Sequence, residues 1–214
     1  MTTNQKIKSL NSYFDKIYCI NLKKRMDRWE ETVKIFREHR LIVDRFEAID
    51  GDNIIFDNNK MISPGEYGCL MSHLNIIHNA CINGYDKILI FEDDIELHEN
   101  FNEISIKFME EVPSNWDMIY FGANTINNKS VAITEHVSSA SRLLGGHAYG
   151  VNSRIFHYLM EKICNEPFPV DKIYSDQHIY MNTFLCNPIV VWQRQGWSDI
   201  NNKFVDYNFL RENK

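Results

Sequence analysis

The sequence predicts an α/β domain built on a largely parallel sheet, and three observations support this class. Short β-branched and aromatic runs alternate with segments whose apolar residues recur at helical spacing, the pattern of strand–helix–strand units. The chain has 214 residues, the size of one ordinary domain, and 44% of them are hydrophobic, enough for a packed core. We therefore expect a single domain over residues 1–214, with its core at about 16–200 and a C-terminal tail at 201–214.

The first elements are a strand, a helix and a second strand. Residues 16–22 (KIYCINL) form a β-branched and aromatic run typical of a buried strand. Trp29, Val33 and Phe36 then recur at helical spacing with charged residues between them, which indicates an amphipathic helix. Residues 41–49 predict the second strand.

A capping motif marks the next helix. In residues 63–66 (SPGE) the serine is an N-cap, the proline occupies the first helical position and the glutamate can bond back to the cap. An apolar stripe continues the helix to Cys81, and Gly84 is expected to cap its C-terminus before a strand at 87–91 (KILIF).

The second half of the chain continues the alternation of helices and strands. We expect a helix at 100–112, a strand at 117–122, a polar loop at 123–135, a strand at 146–151, a helix capped by Asn152 or Ser153, a helix at 170–184 and a strand at 189–193.

Charge and hydropathy exclude several partner classes. Lys and Arg number 23 against 29 Asp and Glu, and the net charge of -6 has the wrong sign for neutralising a nucleic-acid backbone. No apolar stretch approaches the roughly 20 residues that span a bilayer, and residues 1–15 lack the apolar region of a secretory signal. We therefore expect a cytoplasmic protein without a transmembrane segment or a nucleic-acid partner.

The five cysteines include no Cys-x-x-Cys pair and are expected to be buried apolar residues.

Three consecutive acids, Glu92, Asp93 and Asp94, follow the KILIF strand. Ligands of open α/β sheets bind at this end of the strands. In an extended chain Glu92 and Asp94 share one face, so they can hold a hard divalent cation such as Mg²⁺ or Mn²⁺. The alternative is an acidic helix N-terminus, which the helix dipole favours.

A basic cluster at residues 23–28 follows the first strand, and its Arg25 and Arg28 are spaced to contact one phosphate-bearing ligand from a helix start. The alternative is a solvated charged turn.

Ser72 and His73 lie in the capped helix, where a histidine is either a ligand-binding residue or a packed one. Asp171 and Asp176 flank a predicted helix start, where each is either a general base or an N-cap.

Together these motifs resemble glycosyltransferase family 25, which includes bacterial lipopolysaccharide galactosyltransferases and collagen-modifying hydroxylysine galactosyltransferases. The matching blocks run in order from about residue 16 to 199: KIYCINLKKRMDRW, RFEAIDG, SPGEYGCLMSHLNI, KILIFEDDIEL, GGHAYGVNSR, PFPVDKIYSDQ and WQRQGWSDI. The resemblance implies a GT-A type nucleotide-diphospho-sugar transferase fold with a mixed, mostly parallel central sheet. It also implies Mn²⁺ (or Mg²⁺), a UDP-sugar donor and inversion at the anomeric carbon.

The resemblance also implies roles for individual residues. Asp94, together with Glu92, corresponds to the metal ligands, and Asp171 is the first choice for the catalytic base, with Asp176 second. The predicted donor-binding residues are Asn21, Arg25, Arg28, Ser72, His73, Glu92, Asp93, Ser198 and Asp199.

The implied reaction moves galactose or glucose from the UDP-sugar to a hydroxyl of a saccharide or a hydroxylysine-type peptide. Two alternatives stay open at this point, namely a catalytically silent nucleotide-sugar-binding module of the same fold and a metal-dependent phosphohydrolase.

Overall fold

The computed structural model describes residues 7–54, 62–124 and 130–207. The helices within these ranges are α1 Leu10–Tyr13, α2 Met26–Glu38, α3 Pro64–Ile82, α4 Phe101–Glu111, α5 Phe156–Asn165 and α6 Val170–Gln177. The strands are β1 Lys16–Asn21, β2 Asp44–Glu47, β3 Lys87–Glu92, β4 Ile95–Leu97, β5 Met118–Asn124, β6 Val131–Ala132, β7 Val137–Ser139, β8 Leu144–Asn152, β9 Thr183–Cys186, β10 Val191–Gln193, β11 Gly196–Ser198 and β12 Lys203–Val205.

Eight of these strands form one mixed sheet in the order β2-β1-β3-β8-β5-β9-β7-β6. β1 pairs in parallel with β2 and β3, and β5 pairs in parallel with β9. β8 lies between β3 and β5 and is antiparallel to both, and β7 is antiparallel to β9 and β6. In the described sheet, β7 and β8 are therefore the strands that run against the others. The α/β class with a mixed central sheet is confirmed.

Apolar side chains cover the sheet on both faces. Ile88 and Ile90 of β3 belong to one buried cluster, whereas Leu89 and Phe91 belong to the other. Successive side chains of a strand point to opposite faces, and a strand buried on both sides therefore needs an unbroken apolar run. The KILIF segment has this run, and it places the acids that follow it at the edge of the core.

The start of α3 confirms the predicted capping box. The Glu66 amide donates to the Ser63 hydroxyl at 3.2 Å, and the Ser63 amide donates to the Glu66 carboxylate at 2.7 Å. Gly84 follows the C-cap residue Asn83 with a φ of 68°. Gly68 brings α3 against the chain after β2, because a Cβ there would lie 2.5 Å from the Ile49 carbonyl oxygen. This close approach fixes one wall of the candidate site described below.

Several predicted boundaries differ from the structure. The helix predicted at 170–184 ends at Gln177, and the chain turns into β9 because Thr183–Cys186 pair with both β5 and β7. The strand predicted at 41–49 shortens to β2, and the antiparallel pairing of β4 with β10 was not predicted. The loop predicted at 123–135 contains β6, and its residues 125–129 lie outside the described residues.

The structure also bears on the predictions about membrane-spanning helices and buried cysteines. No helix in the described ranges has both the length and the apolarity needed to cross a bilayer. Cys19 and Cys186 are buried as expected, but Cys164 is exposed because it lies on the outer side of α5, and the expectation of a buried residue is wrong there.

A buried histidine gives the fold a pH dependence that can be measured. The Nε2 of His178 lies 2.9 Å from the Tyr120 hydroxyl, and its Nδ1 accepts a hydrogen bond from the Leu143 amide at 3.3 Å. Burial lowers the pKa of His178 from 6.5 to about 4. Between these pH values the unfolded chain binds a proton that the folded chain does not, and stability is therefore lost as the pH falls from 6.5 to about 4.

We expect His178→Gln to reduce the free energy of unfolding that is lost over this pH range by up to about 3 kcal/mol. Each unit of pKa shift corresponds to about 1.4 kcal/mol. Urea unfolding across the window measures the slope of the free energy of unfolding against pH. The matched control is His78→Gln on the exposed side of α3, which should keep the wild-type slope. An unchanged slope in His178→Gln would contradict the assignment.

Candidate active site

A cleft opens where β1, β2 and β3 end. Its walls come from α3, from the segment after β2 and from the hairpin of β11 with β12. The empty space in the cleft is about 920 Å³ when the part open to solvent is included. Ligands of α/β sheets typically bind in such clefts at the carboxyl ends of the strands.

The acidic segment lies at the inner end of this cleft. Parallel pairing places Ile20 opposite Glu92, and this register brings Asn21 beside Asp93. The Asn21 amide donates to one carboxylate oxygen of Asp93 at 2.6 Å, and Arg28 donates to the other at 2.9 Å. Both oxygens of Asp93 are therefore engaged, and its carboxylate anchors Arg28 at the cleft. Glu92 ends β3 and the two aspartates form the turn to β4, so the alternative of a helix N-terminus does not hold.

Asp94 has a different environment. Its Oδ1 atom is buried without a hydrogen-bond partner among the described residues, and its Oδ2 lies 3.5 Å from Arg28 Nη1. Burial, and then the nearby charge of Glu92, raises the pKa of Asp94 to about 7. A carboxylate that is crowded by anions and has one oxygen without a donor is stabilised in its charged form by a cation. Asp94 and Glu92 could therefore hold Mg²⁺ or Mn²⁺, which prefer oxygen ligands.

Two arginines join the acidic segment to the C-terminal motif. Arg25 forms ion pairs with Asp199 and with Asp27, and Arg28 donates to the main-chain carbonyl of Trp197. The Arg25 and Arg28 side chains are only 18% and 16% exposed, so the alternative of a solvated turn does not hold for them. The structure thus brings together Asn21, Arg25, Arg28, Glu92, Asp93, Asp94, Ser198 and Asp199 as predicted.

Ser72 and His73 are both buried in α3 and border the cleft. The Ser72 hydroxyl donates to the Gly68 carbonyl at 2.6 Å and accepts from the Ile49 amide at 2.8 Å, which ties α3 to the segment after β2. His73 Nδ1 lies 2.6 Å from the Tyr149 hydroxyl, and its Nε2 lies 3.7 Å from a Glu92 carboxylate oxygen.

The two candidate bases lie on α6. Asp171 accepts hydrogen bonds from the amides of Lys172 at 2.8 Å and of Gly145 at 3.2 Å, whereas Asp176 is exposed and pairs with Lys172. Pro169 occupies the N-cap position, so neither aspartate is the cap. Neither is among the described residues that line the cleft. Asp171 is nevertheless tied to the start of β8, the strand that carries Gly146 past Glu92.

Sequence reasoning missed two residues that hold the acidic turn in place. Arg194 donates to the Asp93 carbonyl at 2.9 Å and, through its main-chain amide, to the Asp94 carbonyl at 2.6 Å. The Thr32 hydroxyl donates to the same Asp93 carbonyl. Arg194 belongs to the WQRQG block, and its place in this block could have marked it as a site residue. No motif in the sequence marks Thr32 in this way.

Comparison with known proteins identifies the family. The model of glycosyltransferase family 25 (LPS biosynthesis protein) matches residues 14–174, well over half of the chain. Over 136 residues the chain is 26% identical to procollagen galactosyltransferase 2 of Mus musculus, covering 54% of this chain and 22% of that protein. Over 156 residues it is 26% identical to inactive glycosyltransferase 25 family member 3 of Homo sapiens, covering 64% of this chain and 26% of that protein. The matched region thus spans about a quarter of these relatives.

A solved structure agrees with the fold. The glycosyltransferase involved in the glycosylation of the major capsid of PBCV-1 superimposes with a TM-score of 0.51 at 11% identity, over 87% of this chain and 95% of that one. The strand-end cleft and the match to the family model lead to one conclusion: this chain belongs to glycosyltransferase family 25.

Proposed function

We propose that the protein is a metal-dependent inverting hexosyltransferase that moves galactose or glucose from a UDP-sugar to a hydroxyl of a saccharide or a hydroxylysine-type peptide. The observation that carries the proposal is the buried, unpartnered Oδ1 of Asp94 beside Glu92, in a cleft that Arg28 and Asp199 also line. Family membership supports the transferase class.

Asp94 and Glu92 are the residues that would hold Mn²⁺ or Mg²⁺. Their fit to such an ion rests on the oxygen-only ligand set and on the crowding of negative charge around Asp94. A divalent cation supplies Lewis acidity and neutralises negative charge on a departing diphosphate.

Arg25 and Arg28 are the proposed ligands of the donor diphosphate. Guanidinium groups form bidentate hydrogen bonds with phosphate oxygens, and contacts with Asp199 and Asp93 hold both groups beside the cleft. These carboxylates limit the rotamers that the arginines can adopt, so little side-chain entropy is lost when a phosphate binds.

Asp171 is the proposed base that removes the proton from the acceptor hydroxyl, and Asp176 is the second choice. The Gly145 and Lys172 amides hold the Asp171 carboxylate in a fixed orientation, as a positioned base requires. Asp176 is the second choice because it is exposed and its carboxylate is already paired with the Lys172 ammonium.

A second candidate function is a catalytically silent nucleotide-sugar-binding module. It is favoured by the similarity to relatives named inactive, which share as much sequence with this chain as the named galactosyltransferase does.

Product analysis separates the candidates. Incubation with a panel of UDP-sugars and Mn²⁺, with and without saccharide or hydroxylysine-peptide acceptors, is expected to release UDP in an acceptor-dependent manner. UDP-sugar binding without any release would support the silent module. Inorganic phosphate or sugar phosphate as the product would indicate a phosphohydrolase.

A further inference from the structure

A second group of potential metal ligands lies beside the acidic segment and differs from it in chemistry. Cys69, His73 and Glu92 each offer one ligand atom, and these atoms lie within 4.8 Å of one another. All three residues border the cleft. A set of one sulfur, one nitrogen and one oxygen suits Zn²⁺ or Co²⁺ far better than Mg²⁺, which prefers oxygen ligands.

His73 provides an independent indication of a ligand. Its side chain is completely buried, and its Nε2 has no hydrogen-bond partner among the described residues. A buried polar atom without a partner costs free energy, and a metal ion would remove that cost. Nε2 lies 3.7 Å from a Glu92 oxygen. Two ligand atoms at about 2.1 Å from a tetrahedral zinc ion are about 3.4 Å apart, so the pair needs little adjustment.

The surroundings of His73 are those of a metal-binding histidine. Its Nδ1 lies 2.6 Å from the Tyr149 hydroxyl, which in turn lies 3.4 Å from the Tyr174 hydroxyl. When Nδ1–H donates to Tyr149, the lone pair of Nε2 points toward Cys69 and Glu92. A partner on the second ring nitrogen that fixes the tautomer in this way is a regular feature of metal-binding histidines.

Space and charge also suit a divalent ion. Gly146 faces the cluster, and a Cβ at this position would lie 3.5 Å from Glu92 Oε1 and 3.8 Å from His73 Nε2. The glycine therefore leaves room beside the two ligand atoms. A cysteine thiolate and a glutamate carboxylate together carry two negative charges, which one Zn²⁺ ion would neutralise.

We propose that Cys69, His73 and Glu92 form a binding site for a zinc-class cation, distinct from the oxygen site of Asp94. Three protein ligands leave a fourth coordination position open toward the cleft, the arrangement of zinc sites that also bind water or a ligand. Glu92 is common to both sites, whereas Cys69 belongs to one and Asp94 to the other. The proposal goes beyond the transfer reaction and does not depend on it.

Cobalt substitution tests the site directly. Titration of the metal-free chain with Co²⁺ should give the thiolate-to-cobalt charge-transfer absorption of a bound cysteine. Cys69→Ser should abolish this band, and the matched control Cys164→Ser should retain it, since Cys164 is exposed and outside the cluster. No band in the wild-type chain, or a band that persists in Cys69→Ser, would overturn the proposal.

Zn²⁺ affinity provides a second measurement. Tyr149→Phe removes the partner of His73 and should lower the Zn²⁺ affinity by about 10–100-fold, the usual effect of losing such a group. Gly146→Ala, which fills the space beside the ligands, should also lower it. Thermal unfolding without metal checks that both variants fold, and wild-type Zn²⁺ affinity in both folded variants would contradict the proposed geometry.

Asp94→Asn separates this proposal from the proposed function. This variant should keep the cobalt band and lose the tightening of UDP binding by Mn²⁺. If UDP binding still depends on Mn²⁺ in the wild type but no cobalt band forms, the zinc-class site alone is wrong. If the band forms but Mn²⁺ has no effect on UDP binding, the oxygen site of Asp94 alone is wrong.

Discussion

Asp94→Asn is expected to abolish the tightening of UDP binding by Mn²⁺ and to reduce sugar transfer by about 10³-fold or more. A cation that neutralises charge in the transition state contributes several kcal/mol, and each 1.4 kcal/mol is about tenfold in rate. The substitution removes the carboxylate whose Oδ1 is buried and unpartnered. Isothermal titration with UDP, with and without Mn²⁺, measures the first effect, and steady-state kinetics measure the second.

The same substitution should leave the fold as stable as the wild type, or more stable, at neutral pH without metal. Burial and the charge of Glu92 raise the pKa of Asp94 to about 7, so ionising this group costs free energy in the folded state that an amide does not require. Asp44→Asn on β2, which removes an ion pair with Lys16 of β1, is the control for a lost carboxylate away from the cleft. Normal Mn²⁺-dependent UDP binding in Asp94→Asn would show that the metal site is misassigned.

Asp171→Asn is expected to lower turnover by about 10²–10⁴-fold while the affinity for the UDP-sugar stays unchanged. Asparagine keeps the size of the side chain, and its amide oxygen can still accept one of the two hydrogen bonds that the Gly145 and Lys172 amides donate to different oxygens of Asp171. An amide cannot take up the acceptor proton, and the loss should therefore appear in kcat. Single-turnover kinetics at saturating donor, with donor binding measured separately, test this separation.

Asp176→Asn is the paired variant for this experiment. It lies on the same helix and loses only an exposed ion pair with Lys172. If turnover falls in Asp176→Asn and not in Asp171→Asn, the role of the base moves to Asp176. A weaker affinity of Asp171→Asn for the donor would instead indicate a role in binding.

The elements that were predicted well are those whose signals are local. The start of α3 depends on four adjacent residues, because Ser63 and Glu66 complete a capping box within one turn. β9 and the antiparallel pair of β4 with β10 depend instead on pairing between distant segments. The sequence of Thr183–Cys186 is compatible with the end of a helix, and only its position between β5 and β7 makes it a strand.

The residues of the candidate site also divide into those that local patterns predict and those that only the tertiary fold brings together. Asn21 and Glu92–Asp94 could be placed together because they follow neighbouring parallel strands, whose ends meet at one edge of the sheet. Thr32 and Arg194 could not be predicted, because they reach the acidic turn across 61 and 101 positions of sequence. Cys69 was counted as a buried apolar residue. It lies one turn before His73 on α3, but the approach of Glu92 to both of them follows only from the tertiary fold.

The contact of Arg25 with Asp199 joins positions 174 residues apart. During synthesis on a ribosome, Arg25 and Arg28 therefore emerge long before the C-terminal segment that they contact. A polypeptide truncated after residue 174, where the family match ends, would retain every acid of the β3 turn but neither Asp199 nor the carbonyl of Trp197. Nucleotide affinity should consequently appear only in nascent chains whose final hairpin has left the exit tunnel.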